Sequence, residues 1–258
     1  LIKSNDLNLI KEFLSKNKNL FNSDAISTHY VNSNLIDKNL KASCDLFEQN
    51  KNLYSSNYLD KFKIYCLLIN DKREEAQIIF DLKKELGFKD TFFENKFNIL
   101  MGYENKKNNK ISESNILDFH ISRETVDQFE YEPNNKTSKD IWKYLSNYNL
   151  LQKINDIDIE DSIKVQTIEK AAHNGNYSEK ELLNLYKRFE FNLDQLLTAE
   201  DTYKKMPNFM GRALLYQRLL LTYDVAIRLE FAEKLKNSVK KDNIENAFNL
   251  ELASILSE

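Results

Sequence analysis

The chain has 258 residues, of which 41% are hydrophobic and 30% are charged, a composition typical of a folded protein with a full core. Its formal net charge of −3 argues against non-specific binding to nucleic acid, because such binding requires a basic surface that displaces counterions. No run of about 18 apolar residues occurs, so the sequence also predicts no direct insertion into a membrane.

Helices are predicted throughout the N-terminal part of the chain. Only 4 glycines and 2 prolines occur, too few for a sheet with many hairpins, so an all-α fold is expected. Apolar residues spaced three and four apart form helical stripes. In chain order these stripes are Leu7–Leu14, Ile26–Val31, Leu40–Phe47, Tyr58–Ile69, Ala76–Leu86 and Thr91–Met101. Gly87 and Gly102 follow the last two stripes, where glycine favours the end of a helix.

Residues 103–110 are nearly all Asn, Lys and Glu, and we interpret them as an internal joint. The predicted organisation is N-terminal helical hairpin repeats at 1–102, a joint with a short helix at 103–137, and C-terminal helical repeats at 138–258. The later stripes are Ile116–Ile121, Ser138–Leu145, Ser162–Ala172, Leu182–Phe189, Leu193–Leu197, Asn208–Leu219, Val225–Leu235 and Ile244–Ile255.

Polar residues in front of these stripes predict where helices begin. Thr137 can cap the helix that carries Trp142, and Asp161 or Ser162 can open the next one. Ser178 and Glu181 have the spacing of a capping box, in which each residue binds the backbone N–H of the other.

The regular spacing of the predicted helices along the chain indicates a repeat architecture. Roughly a dozen helices joined by short turns should run antiparallel to their neighbours. Pairs that recur about every 30 to 35 residues are typical of stacked α-hairpin arrays. The predicted fold is therefore an all-α, tetratricopeptide-like, right-handed solenoid, although the tetratricopeptide consensus of Trp, Leu, Gly and Tyr at fixed offsets is absent.

Cys44 and Cys66 are the only cysteines in the chain. If one helix ends near Asn50 and the next begins near Asn57, folding the hairpin about its centre brings the two cysteines to the same level. Their Cα atoms are then expected within the roughly 4.4 to 6.8 Å that a disulfide permits. Such a bond would close a loop of about 20 residues. The alternative is two buried free thiols that pack as small hydrophobic groups.

A family resemblance involves the same region. The matching positions are Cys44, Tyr65, Cys66, Leu67, Leu68, Asn70, Asp71, Lys72, Glu74, Glu75 and Ala76. Together they resemble a bacterial family of exported tetratricopeptide-like helical-repeat proteins, some of which carry an antifreeze-glycopeptide label, and the segment 212–235 is loosely similar too. The resemblance implies a helical solenoid with an export signal upstream of Leu1, and it implies no activity. A periplasmic or otherwise exported location is thus expected, with a cytoplasmic location as the alternative.

The sequence shows no set of residues with the pattern of an active site. His29, His120 and His173 lie on separate segments, without the spacing of metal ligands. Neither a glycine-rich phosphate loop nor a Gly-x-Ser-x-Gly motif occurs. The sequence therefore predicts no catalytic residue, no metal site and no cofactor.

Aromatic residues supply the candidate partner contacts. Four of them fall close together in one stretch and the fifth is the single tryptophan: Phe88, Phe92, Phe93, Phe97 and Trp142. They could line a groove for a peptide or a partner helix. The alternative for these residues is core packing, with Trp142 as a packing anchor.

Two classes of function remain open at this point. The first is a non-catalytic helical-repeat scaffold or adaptor that binds a protein or peptide partner. The second is a helical enzyme, such as a solenoid-bearing lytic transglycosylase, in which a glutamate acts as general acid. A buried glutamate in a cleft that faces an aromatic wall would distinguish the enzyme from the scaffold.

Overall fold

The computed structural model describes residues 6–16, 24–48, 56–105, 110–250 and 253–254. Within these ranges it contains fourteen α-helices, a few short 3-10 turns and no β-strand. The all-α prediction, with roughly a dozen helices, is therefore confirmed. The arrangement of these helices as a right-handed solenoid stays a prediction.

The helices are divided between two compact units. The N-terminal unit contains Leu1–Tyr131 and Ser138–Tyr148, and the C-terminal unit contains Glu132–Thr137 and Asn149–Glu258. The division predicted from the sequence placed its boundaries at 102/103 and 137/138. In the structure, the N-terminal unit continues through residue 131 and also includes residues 138–148, whereas residues 132–137 belong to the C-terminal unit. The difference arises because the helices at 116–125 and 139–147 pack against the N-terminal helices.

Among its described residues, the N-terminal unit contains eight helices. They are α1 (Leu7–Lys16), α2 (Asp24–Ile36), α3 (Leu40–Glu48), α4 (Asn57–Ile69), α5 (Arg73–Glu85), α6 (Thr91–Met101), α7 (Ile116–Thr125) and α8 (Lys139–Asn147). Helix α2 packs against α1, α3, α4, α7 and α8. Helix α4 is buried on every side from Leu59 to Leu68, so it forms the centre of the core together with α2.

In the part of the C-terminal unit that the structure describes, six helices have defined bounds. They are α9 (Ser162–His173), α10 (Glu179–Tyr186), α11 (Leu193–Leu197), α12 (Ala199–Thr202), α13 (Asn208–Leu220) and α14 (Val225–Lys241). Helix α13 is central, because α9, α10, α11, α12 and α14 all pack against it. A Cβ atom at Gly211 would lie 2.6 Å from the carbonyl oxygen of Tyr203, so only glycine allows α13 to approach the 3-10 turn Tyr203–Lys205 this closely.

Several predicted helix ends are confirmed by their capping contacts. Asp161 accepts hydrogen bonds from the backbone of Ile163 and Lys164, and the capping box of Ser178 and Glu181 is present. Gly87 follows α5 with a φ of 90°, the left-handed conformation expected there.

Two predictions about helix ends need correction or fall outside the described part of the chain. Ser138, rather than Thr137, caps α8, since Ser138 accepts from the backbone of Ile141 while the Thr137 hydroxyl accepts from the backbone of Asn134. The stripe predicted at 244–255 begins as a 3-10 turn at Glu245–Ala247. Its positions 252 and 255 lie outside the described residues.

No helix found in the described segments combines the length and the apolar character that crossing a membrane requires.

Candidate functional site

The two cysteines of the N-terminal unit form the expected pair. Cys44 on α3 and Cys66 on α4 are both buried, their Sγ atoms lie 2.10 Å apart and their Cα atoms 5.4 Å apart. The geometric prediction from the helical hairpin is therefore confirmed, since the two cysteines lie at the distance that a disulfide requires.

The aromatic residues predicted to contact a partner are mostly internal. Phe93 and Phe97 are buried on α6, where both pack against Phe80 of α5, and the ring centroids of Phe80 and Phe97 are 4.2 Å apart. Trp142 is buried on α8. These three side chains belong to the core of the N-terminal unit, where Phe93 and Phe97 are almost fully enclosed and Trp142 keeps 8% of its surface exposed. A surface contact role is left only to Phe88 and Phe92, which are half-buried.

A hydrogen-bonded chain of three buried side chains joins α4, α7 and α8. The Nε2 atom of His120 lies 3.0 Å from the hydroxyl of Tyr65, and its Nδ1 atom lies 2.7 Å from the hydroxyl of Tyr144. Burial, with a smaller contribution from the charge of Arg123, lowers the pKa of His120 to about 3. Burial also raises the pKa of both tyrosines. All three groups are thus neutral at pH 7, and they cross-link three helices.

The neutral state of His120 predicts that acid weakens the N-terminal unit. Below the ordinary histidine pKa of about 6.5, the unfolded chain takes up a proton that the folded chain does not, so stability is full above pH 6.5 and falls as the pH drops towards 3. We expect a loss of about 2 kcal/mol in unfolding free energy between pH 7 and pH 5, from this residue alone. Urea titrations followed by Trp142 fluorescence measure it.

Two variants test whether His120 causes this loss. His120→Gln keeps one donor and one acceptor but has no charge to gain, so it should remove most of the pH dependence. His29→Gln, on α2 of the same unit, controls for the loss of a histidine as such. An equal pH dependence in wild type and His120→Gln would contradict the assignment.

Buried ion pairs fix α5 and α6 against α4. Lys61 lies 2.9 Å from Asp90, which caps α6, and 2.7 Å from Asp118 on α7. Asp60, which is buried on α4, forms an ion pair with Lys83 of α5. Because each of these charges faces an opposite charge, the cluster compensates the buried charges and connects α4 with α5, α6 and α7.

The outward side of α5 carries an apolar stripe. Ile78, Leu82 and Leu86 are 67%, 40% and 66% exposed, and they follow one another at intervals of four residues. This spacing places them on one side of the helix. The opposite side packs inward through Ala76 and Phe80, which are buried. We refer to Ile78, Leu82 and Leu86 as the α5 stripe.

Acidic side chains lie along one flank of the α5 stripe and at its N-terminal end. Four exposed carboxylates lie three or four residues from a member of the stripe: Glu74, Glu75, Asp81 and Glu85. The basic residues of α5 are engaged within the unit: the Arg73 guanidinium donates to the carbonyl of Met101, Lys83 pairs with Asp60 and Lys84 pairs with Glu94. The result is an apolar strip with a border of negative charge.

The C-terminal unit contains a pocket of about 440 Å³ between α9, α13 and the end of α14. Its wall includes Glu169, Arg212 and Asp242. The guanidinium of Arg212 donates from Nε and Nη2 to the two oxygens of Glu169, at 2.8 and 2.6 Å, and from Nη1 to Asp242, at 2.6 Å. Tyr186 also donates its hydroxyl to Glu169. Through Arg212, the cluster therefore connects α9, α10, α13 and the C-terminal end of α14.

The charges in this pocket are mutually compensated. Burial works to lower the pKa of Arg212, but its hydrogen bond to Glu169, with Tyr186 and Asp242 nearby, outweighs burial and raises that pKa. Burial and the charge of Glu169 raise the pKa of Tyr186. Glu169 is the buried glutamate beside an aromatic ring that would mark the enzyme alternative, yet both of its oxygens are occupied by internal donors. This arrangement favours a structural role over that of a general acid.

The sequence did not single out this cluster. Its only visible trace is Arg212 within the otherwise apolar stretch at 209–216, since a buried arginine requires a buried partner. Glu169 lies 43 residues away in the chain, so no local pattern connects the two.

A second exposed apolar area lies where α13 meets α14. Leu221, Tyr223, Val225 and Leu229 are all exposed, and Tyr223 is 95% exposed. Val225 and Leu229 were predicted to belong to the packing stripe of α14. The structure corrects this, because α14 begins to be buried only at Phe231.

Among the residues that the structure describes, no group of three or more His, Cys, Asp or Glu side chains is arranged to hold a metal ion.

No protein-family model matches the sequence, and neither a curated protein nor a solved structure is similar to it. The resemblance to exported tetratricopeptide-like proteins therefore stays a hypothesis.

Proposed function

We propose that the protein is a non-catalytic helical scaffold or adaptor, and that it binds a partner protein at the α5 stripe. The observation that carries the proposal is the exposure of Ile78, Leu82 and Leu86 on one side of α5. Three large apolar side chains that are exposed to solvent on the same side of a helix indicate an interaction site, because a partner that covers them removes apolar surface from water.

The polar clusters support a scaffold rather than an enzyme. The buried charged groups described above face opposite charges: Glu169 faces Arg212, Lys61 faces Asp118, and Asp60 faces Lys83. An active site needs a group aimed at a substrate, whereas these groups are aimed at one another. The transglycosylase alternative would require the Glu169 carboxylate to break its ion pair with Arg212 and to contact a substrate instead.

We further propose an exported or periplasmic location and an α-hairpin repeat organisation. A disulfide between Cys44 and Cys66 supports export, because disulfides persist in oxidising compartments. A cytoplasmic location would require the pair to be reduced. Antiparallel neighbours such as α4 and α5, joined by a short turn, support the repeat organisation.

Capture from native extract tests the binding role. The wild-type chain and the variant Ile78→Ser/Leu82→Ser/Leu86→Ser serve as baits, and retained proteins are quantified by mass spectrometry. The control bait is Leu193→Ser/Leu197→Ser, which removes two exposed leucines from α11 in the C-terminal unit. All substituted side chains are exposed, so far-ultraviolet dichroism and melting should change little.

We expect a defined set of proteins on the wild-type and control baits and its loss from the α5 variant. Burial of one leucine contributes about 1.5 to 3 kcal/mol, so losing three such contacts should reduce retention by more than about tenfold. The same proteins at the same levels on all three baits would show that the α5 stripe is not the binding site.

A further inference from the structure

We infer that the partner segment at the α5 stripe is an amphipathic helix whose apolar side is bordered by Lys and Arg. The inference rests on the proposed function and adds the chemical class of the partner. It depends on two features together: the spacing of the stripe and the sign of the charges around it.

The spacing fits a helix. Leu86 follows Ile78 by eight positions, which is about 12 Å along the axis of α5. A partner helix that packs along α5 can match this length with apolar residues of its own at intervals of three and four. The stripe is also straight, because α5 is one unbroken helix from Arg73 to Glu85, with Leu86 at its C-cap.

The charges select a basic partner. Glu74, Glu75 and Glu85 have no ion-pair partner among the described residues, and Asp81 accepts a hydrogen bond from Gln77 at 2.9 Å. Every basic residue of α5 is already held by its own unit, at Met101, Asp60 or Glu94. A partner with lysines or arginines beside its apolar stripe would gain several favourable pairs, and an acidic partner would meet repulsion along the flank that carries Glu74, Asp81 and Glu85.

The same charges argue against two other occupants. A second copy of the chain would bring acidic residues of one α5 next to those of the other, which costs binding energy. A membrane with anionic lipids would repel this border as well, since membrane-binding helices carry basic polar sides. Both occupants are outcomes that the test below can detect.

Designed peptides test the inference with the full-length protein. The first probe is a fluorescent peptide of about 18 residues, long enough for several helical turns, with a leucine stripe bordered by lysines. The second has glutamate in place of every lysine, and the third has the composition of the first in an order without a stripe. Binding is measured by fluorescence anisotropy.

Two charge-reversal variants complete the design. Glu75→Lys/Glu85→Lys reverses the border of the stripe, and Glu190→Lys/Glu233→Lys makes the same change at exposed positions of the C-terminal unit. We expect the lysine peptide to bind wild type and the second variant alike, and to bind the first variant at least about tenfold more weakly. Its affinity should also fall several-fold between about 0.05 and 0.5 M salt, because salt screens exposed charges.

Three results would overturn the inference. They are equal binding of the lysine and glutamate peptides, equal binding of the lysine peptide to both charge-reversal variants, and binding of the scrambled peptide as tightly as the striped one. Concentration-dependent dimerisation, or retention on anionic vesicles, that is lost in the α5 serine variant would assign the stripe to the corresponding other occupant.

The failure of this inference can be told apart from the failure of the proposed function. If captured proteins depend on Ile78, Leu82 and Leu86 but are retained equally by Glu75→Lys/Glu85→Lys, the α5 stripe binds a partner that is not basic. If capture does not depend on the stripe at all, the proposed function fails first.

Discussion

Replacing Arg212 with Ala should lower the unfolding free energy of the C-terminal unit by about 3 to 5 kcal/mol, because it leaves the buried carboxylate of Glu169 without its counter-charge. The loss also removes donors to Asp242 and Ser238. The single tryptophan, Trp142, belongs to the N-terminal unit. The stability of the C-terminal unit is therefore best measured by hydrogen exchange of peptides from α9, α10 and α13.

A variant that removes both charges at once separates the contribution of the ion pair from that of the packing around it. Arg212→Met/Glu169→Met replaces both charges by apolar side chains and should recover much of the stability that Arg212→Ala loses, because a buried pair costs a large desolvation energy. Lys234→Ala, which breaks a more exposed pair with Glu200, is the matched control and should cost less than about 1 kcal/mol. If Arg212→Ala costs no more than this control, Arg212 does not hold the helices together.

Replacing both cysteines by serine should lower the unfolding free energy of the N-terminal unit by about 3 kcal/mol. The disulfide joins residues separated by 22 positions, so its loss restores the conformational freedom of that loop to the unfolded chain. In the folded state α3 and α4 should still pack, because the surrounding contacts are apolar. The melting transition followed by Trp142 fluorescence should shift downward by several degrees for each kcal/mol lost.

Hydrogen exchange in the C-terminal unit provides the internal control for the cysteine experiment. Protection of α9 to α14 should be unchanged by Cys44→Ser/Cys66→Ser, because these helices belong to the other compact unit. Identical melting of the wild type with and without reductant would contradict a stabilising disulfide.

Local sequence patterns predicted much of the fold. Helix α6 has the predicted bounds Thr91–Met101, α11 has the predicted bounds Leu193–Leu197, and the cysteines lie at the predicted level on neighbouring helices. These predictions succeed because helix caps, glycine at helix ends and short turns act within a few residues of the chain.

The choice of which apolar residues are buried was less predictable. Leu86 was placed in the packing stripe of its helix with Ala76 and Phe80, but it is exposed, while Ala76 and Phe80 are buried. Helix α5 has apolar residues on two sides, and periodicity cannot decide between them. The choice depends on long-range contacts, here the pairing of Lys83 with Asp60, which sequence spacing does not reveal.

Predicting the candidate site from the sequence would also have required knowledge of long-range contacts. The α5 stripe became visible only once the buried side of α5 was known, and the Glu169–Arg212 pair only once α9 and α13 were placed together. In contrast, Phe93 and Phe97 stood out in the sequence because they are aromatic, and they are core. Side-chain type is a weaker guide to a binding surface than exposure is.

The Cys44–Cys66 bond makes residues 44–66 a covalent ring within the chain. Hydrolysis of one peptide bond inside that ring leaves α1, α2 and α3 attached to the rest of the molecule through sulfur. The polypeptide can therefore lose backbone continuity at one place in this stretch and still migrate as a single species until a reductant opens the ring.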